Sequence, residues 1–92
     1  MTLPLKLLLV DDEAPARTRL RNLLEDIGQD FPTEVVAEAA DGIEALERIG
    51  DTAIDVALID IRMPRMDGLQ LALHLSQRTD PPAIIFVTAF DQ

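Results

Sequence analysis

The sequence predicts an α/β fold: one parallel sheet covered on both faces by helices. Two observations carry that expectation. Short, mostly apolar runs, as at Leu5–Val10 and Ile54–Asp60, read as strands buried on both faces. Between them lie segments whose apolar residues repeat at helical spacing. The resulting order is β-α-β-α-β-α-β, and right-handed crossovers between parallel strands put helices on both faces. With 92 residues the chain makes one domain, and with 48% hydrophobic but only 3% aromatic residues its core must be aliphatic.

Each element has its own signal. Leu5–Val10 is apolar except for Lys6 and runs straight into Asp11, Asp12 and Glu13. From Pro15 onward Ala16, Leu20, Leu23, Leu24 and Ile27 recur on one helical face, with Arg17, Arg19 and Arg21 between them and Gly28 as a stop. A loop through "QDFP" leads to a weaker strand, Glu34–Ala39. Asp41 has Glu44 three residues on, a capping-box spacing, and Ala45, Leu46 and Ile49 line a short second helix before Gly50. Ile54–Asp60 is again an apolar strand ending in a carboxylate, followed by the turn-rich "MPRMDG". Leu69, Ala72, Leu73 and Leu75 suggest a third helix, stopped by "TDPP". The last run, Ala83–Ala89, reads as a fourth strand.

Charge and composition narrow the function. Seventeen acidic residues against eight basic ones give a formal net charge of −9, which argues against this segment gripping nucleic acid or an anionic membrane. A cation is the expected guest. No cysteine is present, so disulfides and thiolate metal sites are excluded. "MTLPLK" has no signal-peptide pattern and no segment has the length of a membrane span, so a soluble cytoplasmic protein is expected.

In an open parallel sheet, ligands bind outside the carboxyl ends of the strands, where strand order reverses. Asp11, Asp12 and Glu13 follow the first strand, Asp60 ends the third, and Thr88 lies near the end of the fourth. Any one of these acids could be merely solvated. If the first and third strands are neighbours, however, the carboxylates of Asp11, Asp12 and Asp60 repel one another unless a partner intervenes. A divalent cation resolves this, and hard oxygen ligands with open water positions favour Mg²⁺.

"LLLVDDE", "DVALIDIRMPRMDG" and "IIFVTAFD" together resemble the receiver domain of bacterial two-component response regulators, in the right order over nearly the whole chain. The resemblance implies a flavodoxin-like sheet of order 2-1-3-4-5 and a phosphoryl group accepted from a sensor histidine kinase. It makes Asp60 the phosphoacceptor, Asp11 and Asp12 the holders of Mg²⁺ together with the Arg62 backbone carbonyl, and Thr88 the switch hydroxyl. The chemistry agrees, because a carboxylate can form an acyl phosphate once charge on the transferred oxygens is neutralised. Thr88 is also a β-branched residue that suits a strand. "MPRMDG" reads both as a turn and as the loop that holds Asp60 and the Arg62 carbonyl. His74 is expected to be incidental on a helix surface. Arg17, Arg19 and Arg21 are expected to form a solvated face or a kinase-docking face.

Within the class, "DDEAPAR", "DIRMPRMDGLQLA" and "PPAIIFVTAFDQ" resemble the LytTR-type (AlgR/LytR-like) regulators, which implies a transcriptional output through a C-terminal DNA-binding domain. Against the family pattern, residues 1–92 correspond to the N-terminal part of one receiver domain and lack an α4-β5-α5 segment with its lysine and aromatic switch residue. Lys6, the only lysine, lies at the wrong edge to replace it. Two rivals are a phosphatase of the haloacid dehalogenase type, disfavoured because Ile61 and Arg62 follow Asp60 where Asp-x-Asp is needed, and a phosphorylation-independent interaction module. The charge-free run Ala83–Ala89 would form an edge strand, so a homodimer is expected.

Overall fold

The computed structural model describes residues 3–87. Its elements are β1 (Leu5–Val10), α1 (Ala14–Asp26), β2 (Thr33–Ala39), α2 (Gly42–Ile49), β3 (Val56–Ile59), α3 (Gly68–Ser76) and β4 (Ala83–Phe86). The strands form one parallel sheet of order β2-β1-β3-β4. The chain steps outward from β1 to β2, then reverses past β1 to β3 and on to β4. Right-handed crossovers in opposite directions put α1 on one face and α2 and α3 on the other. The reversal opens between β1 and β3, which makes their carboxyl ends the natural ligand edge.

Burial follows the parallel-strand pattern. Leu7, Leu8, Leu9 and Val10 are all buried, as a strand covered on both faces requires. Leu8 and Val10 join Ala57 and Ile59 of β3 in a core closed by Ala45 and Ile49 of α2 and Leu71 and Leu75 of α3. Helix α1 contributes no buried residue, and Leu23 on it and Ile27, which caps its C-terminus, remain exposed. Its Pro15 lies in the first turn, where the missing N–H breaks no helical bond.

Boundaries differ from expectation in places that have physical causes. The third strand begins at Val56 rather than Ile54, because Asp55 is taken up in bracing the sheet end: its N–H donates to the Lys6 carbonyl (2.8 Å) and its carboxylate accepts from the Lys6 N–H (2.8 Å). The second strand carries a register shift opposite Leu7 and Leu8 that leaves Val36 without a partner, which is why "TEVVAEA" shows no clean period. The fourth strand is described to Phe86, and the Val87 N–H still donates to Ile59 (2.9 Å). Thr88 and Ala89 lie outside the described residues, so the expected switch hydroxyl does too. Among the described residues no helix is long and apolar enough to cross a membrane.

Candidate functional site

The ladder itself delivers the acids to one edge. Beyond the last residue of β1, the Asp11 N–H donates to Ala39 of β2 (3.0 Å), and beyond the last residue of β3, the Asp60 N–H donates to Val10 of β1 (2.9 Å). These bonds fix both backbones at the reversal point. Carboxylate oxygens of Asp11, Asp12 and Asp60 lie within 4.8 Å of one another. Asp11 and Asp60 are half-buried and Asp12 is exposed. The sequence therefore located all three acids, and the structure brings them together.

Local turns orient these groups. The Glu13 N–H donates to Asp11 Oδ1 (2.9 Å), an Asx-type turn that leads into α1. The Arg62 N–H donates to Asp60 Oδ1 (3.3 Å), so the backbone at Arg62 folds against the Asp60 carboxylate. Burial pushes the Asp11 carboxyl above its usual range; the Glu13 amide opposes this, while the Asp60, Asp12 and Glu13 carboxylates add to it. Crowded carboxylates with hard oxygens and no thiolate or imidazole among them are a donor set that suits Mg²⁺ rather than a softer ion. The residues thus fit a hard divalent cation.

Three supporting features escaped the sequence reading. Arg17 was expected on a solvated or docking face. Instead its guanidinium donates to the Asp11 carbonyl and to Glu38 of β2 (3.3 Å), and Arg21 also pairs with Glu38, so two of the three arginines pin α1 to the sheet edge. Arg19 and Arg21 are exposed, as expected, and Arg19 lines a cleft of about 250 Å³ with Leu20, Leu23, Asp60 and Val87. The second feature is a full capping box at the start of α3: Asp67 accepts from the Gln70 N–H (2.9 Å), and Gln70 accepts from the Asp67 N–H (3.0 Å). Its signal, Asp-x-x-Gln, is present inside "MDGLQ", overlapping the "MPRMDG" that reads as a turn and as the loop holding Asp60 and the Arg62 carbonyl. At Asp41 the expected box is half-formed, since Asp41 accepts from the Glu44 N–H (2.8 Å) while Glu44 reaches one residue further back, to the Ala40 N–H (3.1 Å). The third is an Asp41–Arg65 ion pair. His74 is exposed, as expected.

A four-stranded parallel sheet of order 2-1-3-4, with a three-carboxylate cluster at its reversal point, defines an acid-edged doubly wound α/β protein. Residues 7–92 match the response regulator receiver domain, and the chain belongs to that family. The positive alginate biosynthesis regulatory protein of Pseudomonas aeruginosa is 44% identical over 88 residues, 96% of this chain and 35% of that protein. The transcriptional regulatory protein BtsR of Salmonella typhimurium is 44% identical over 91 residues, again 96% of this chain and 35% of that protein. The chain thus spans about a third of the length of these relatives.

Solved structures agree. The CheX–CheY–BeF3–Mg complex of Borrelia burgdorferi matches with a TM-score of 0.81 at 27% identity, covering 96% of this chain and 64% of that one. The complex of the P1 domain of CheA3 with CheY6 from R. sphaeroides matches with a TM-score of 0.79 at 29% identity, covering 97% and 67%. The expected flavodoxin-like receiver architecture is borne out.

Proposed function

We propose that this chain is the phosphoacceptor part of a two-component phosphorelay, with Asp60 as the acceptor. The observation that carries the reading is the convergence of Asp11, Asp12 and Asp60 within 4.8 Å at the reversal point of the sheet. An Asp60 oxygen attacks the phosphorus of a phosphohistidine on a sensor histidine kinase; the new O–P bond forms as the P–N bond breaks, and the imidazole nitrogen keeps the electron pair. Asp11, Asp12, Asp60 and the Arg62 backbone carbonyl would hold Mg²⁺, which when bound supplies positive charge to the transferred oxygens. The Arg62 N–H beside Asp60 fixes the orientation of the carboxylate. Thr88 is assigned the switch hydroxyl that follows the phosphoryl group. The chain is an acceptor rather than a turnover enzyme, it acts in the cytoplasm, and its output is transcriptional, through a LytTR-type DNA-binding domain C-terminal to it. The regulatory names of its relatives and the CheA3–CheY6 complex support these assignments.

Acetyl phosphate tests the acceptor directly. Wild-type protein with Mg²⁺ should take up label to at most one phosphoryl group per chain, with acetate leaving, and Asp60→Asn should take up none. Release of phosphate over many turnovers would instead support the phosphatase rival, and no labelling of the wild type would leave the interaction module.

Self-association belongs to the same reading. Strand β4 pairs only with β3 among the described strands, carries no charge, and leaves Ile85 and Phe86 exposed. Open N–H and C=O groups beside apolar side chains form a template for strand pairing, and a second copy offers the same edge in a symmetric dimer. Sedimentation of residues 1–92 should therefore show a concentration-dependent dimer, and Ile85→Lys should weaken it. A monomer at high micromolar concentration, indifferent to that substitution, would remove the homodimer from the proposal.

A further inference from the structure

We propose that Arg65 is a positioning residue for the acceptor: its ion pair with Asp41 latches the loop after β3 onto the start of α2, and so sets the backbone at Asp60–Arg62. The inference rests on the acceptor reading above for its purpose, and on geometry for its existence.

The loop of residues 61–67 is anchored at two points. Near its base, the Gly68 N–H donates to the Ile61 carbonyl (2.9 Å). At its tip, Arg65 donates through Nε to Asp41 Oδ2 (2.9 Å), and its second terminal nitrogen lies 2.7 Å from the same oxygen. The next residue adds a second clasp: the Gly42 N–H donates to the Met66 carbonyl (3.3 Å), and the Met66 side chain fills the space a Cβ on Gly42 would need, with Cγ at 2.7 Å. Residues 65 and 66 thus grip residues 41 and 42 by charge, backbone bond and packing.

Two features set the Arg65 contact apart from a casual surface pair. Arg65 has φ +63° and is the one non-glycine residue in the left-handed region among the described residues; an arginine held there needs compensating contacts. Its partner is the one buried charged residue among them. The hydrogen bond from the Glu44 amide, together with the bond and charge of Arg65, holds the Asp41 carboxyl below its usual range despite burial. The latch also closes a ring through the site. Asp11 is bonded to Ala39, two residues before Asp41, and Asp60 is bonded to Val10, next to Asp11; Arg65 ties the loop leaving Asp60 back to Asp41. All three strand ends are then fixed relative to one another, which is what three convergent carboxylates require.

Arg65→Gly separates latch from scaffold, because glycine suits the left-handed backbone yet removes the guanidinium. Asp41→Asn does so from the other side, because asparagine caps a helix as well as aspartate but carries no charge. Both variants should remain folded, with native circular dichroism and a single cooperative unfolding transition, at midpoints below wild type because the pair is lost. Both should bind Mg²⁺ more weakly by roughly tenfold in calorimetric titration, the scale on which loss of groups that position ligands lowers metal affinity. The double variant should be no weaker than either single one, since both break the same pair. In metal-free protein the Arg62 and Gly68 amides should exchange faster in both variants. Failure of wild type to bind Mg²⁺ would overturn the metal reading, and amide exchange would still decide the latch. Unchanged exchange in both variants, or Mg²⁺ affinity within twofold of wild type in both, would overturn the latch.

Discussion

Gly68→Ala is expected to cost about 3 kcal/mol of folding stability, the upper end of the range for overpacking, and to suppress phosphoryl uptake at Asp60. A Cβ on Gly68 would lie 2.3 Å from the Asp60 carbonyl oxygen, 2.8 Å from Ile61 Cα and 2.9 Å from Ile59 Cγ2. Two of these are backbone atoms, so no rotamer change relieves the clash. Neither side can retreat cheaply. Moving the strand end breaks the Asp60–Val10 bond, and moving the helix breaks the Gly68–Ile61 bond and lifts Leu71 and Leu75 out of the core. Alanine's better helix propensity returns at most about 1 kcal/mol in a helix interior, and less in the first turn. Against a typical stability of about 5–15 kcal/mol, the net loss is large. Urea unfolding followed by circular dichroism measures it. A loss below about 0.5 kcal/mol, the range of ordinary surface changes, would mean that the loop yields and that glycine here serves only as a turn residue.

The substitution illustrates what could be read from the chain and what could not. The strands β1 and β3 were legible because burial on both faces leaves a mostly aliphatic run, broken only by Lys6 in the first and by Asp55 near the start of the other, and their terminal acids were legible because charge next to such a run is conspicuous. Helix α2 announced itself through Asp41 and Glu44. The need for glycine at position 68 was not legible, because it arises from residue 60, eight positions away, once the chain has folded back over the strand end. Arg17, Arg21 and Arg65 look like solvated charges in the sequence. Their partners, Glu38 and Asp41, lie 17 to 24 positions away, on elements that meet only because β2 lies beside β1 and α2 begins beside the loop after β3. Periodicity and local spacing report contacts within an element; these contacts are made between elements.

Mg²⁺ at about one hundred times its dissociation constant is expected to stabilise the fold by about 2.7 kcal/mol, the increment for a ligand bound only by the native state, and so to raise the melting temperature by about 10 °C or more in a domain of this size. The cause is in the site. Asp11, Asp12 and Asp60 are brought within 4.8 Å only by folding, so their repulsion acts on the native state, and a cation that relieves it acts there too. Asp12→Ala should abolish most of the response while leaving the metal-free protein folded, because Asp12 is exposed and makes no core contact. The pH dependence follows from Asp11, whose carboxyl is pushed above its ordinary 3.8 by burial and by its acidic neighbours. An acid with a raised native pKa contributes stability that is fully present below the unfolded value and is lost as pH rises through the folded value. Metal-free protein should therefore lose this contribution above pH 3.8, over a window that extends to the raised value. Mg²⁺ needs the ionised carboxylates, so its stabilising increment should grow across the same window. Thermal unfolding with and without millimolar Mg²⁺, at a series of pH values from about 4 to about 7, checks both trends at once. An increment independent of pH, or one as large in Asp12→Ala as in wild type, would place the cation elsewhere on this acidic chain.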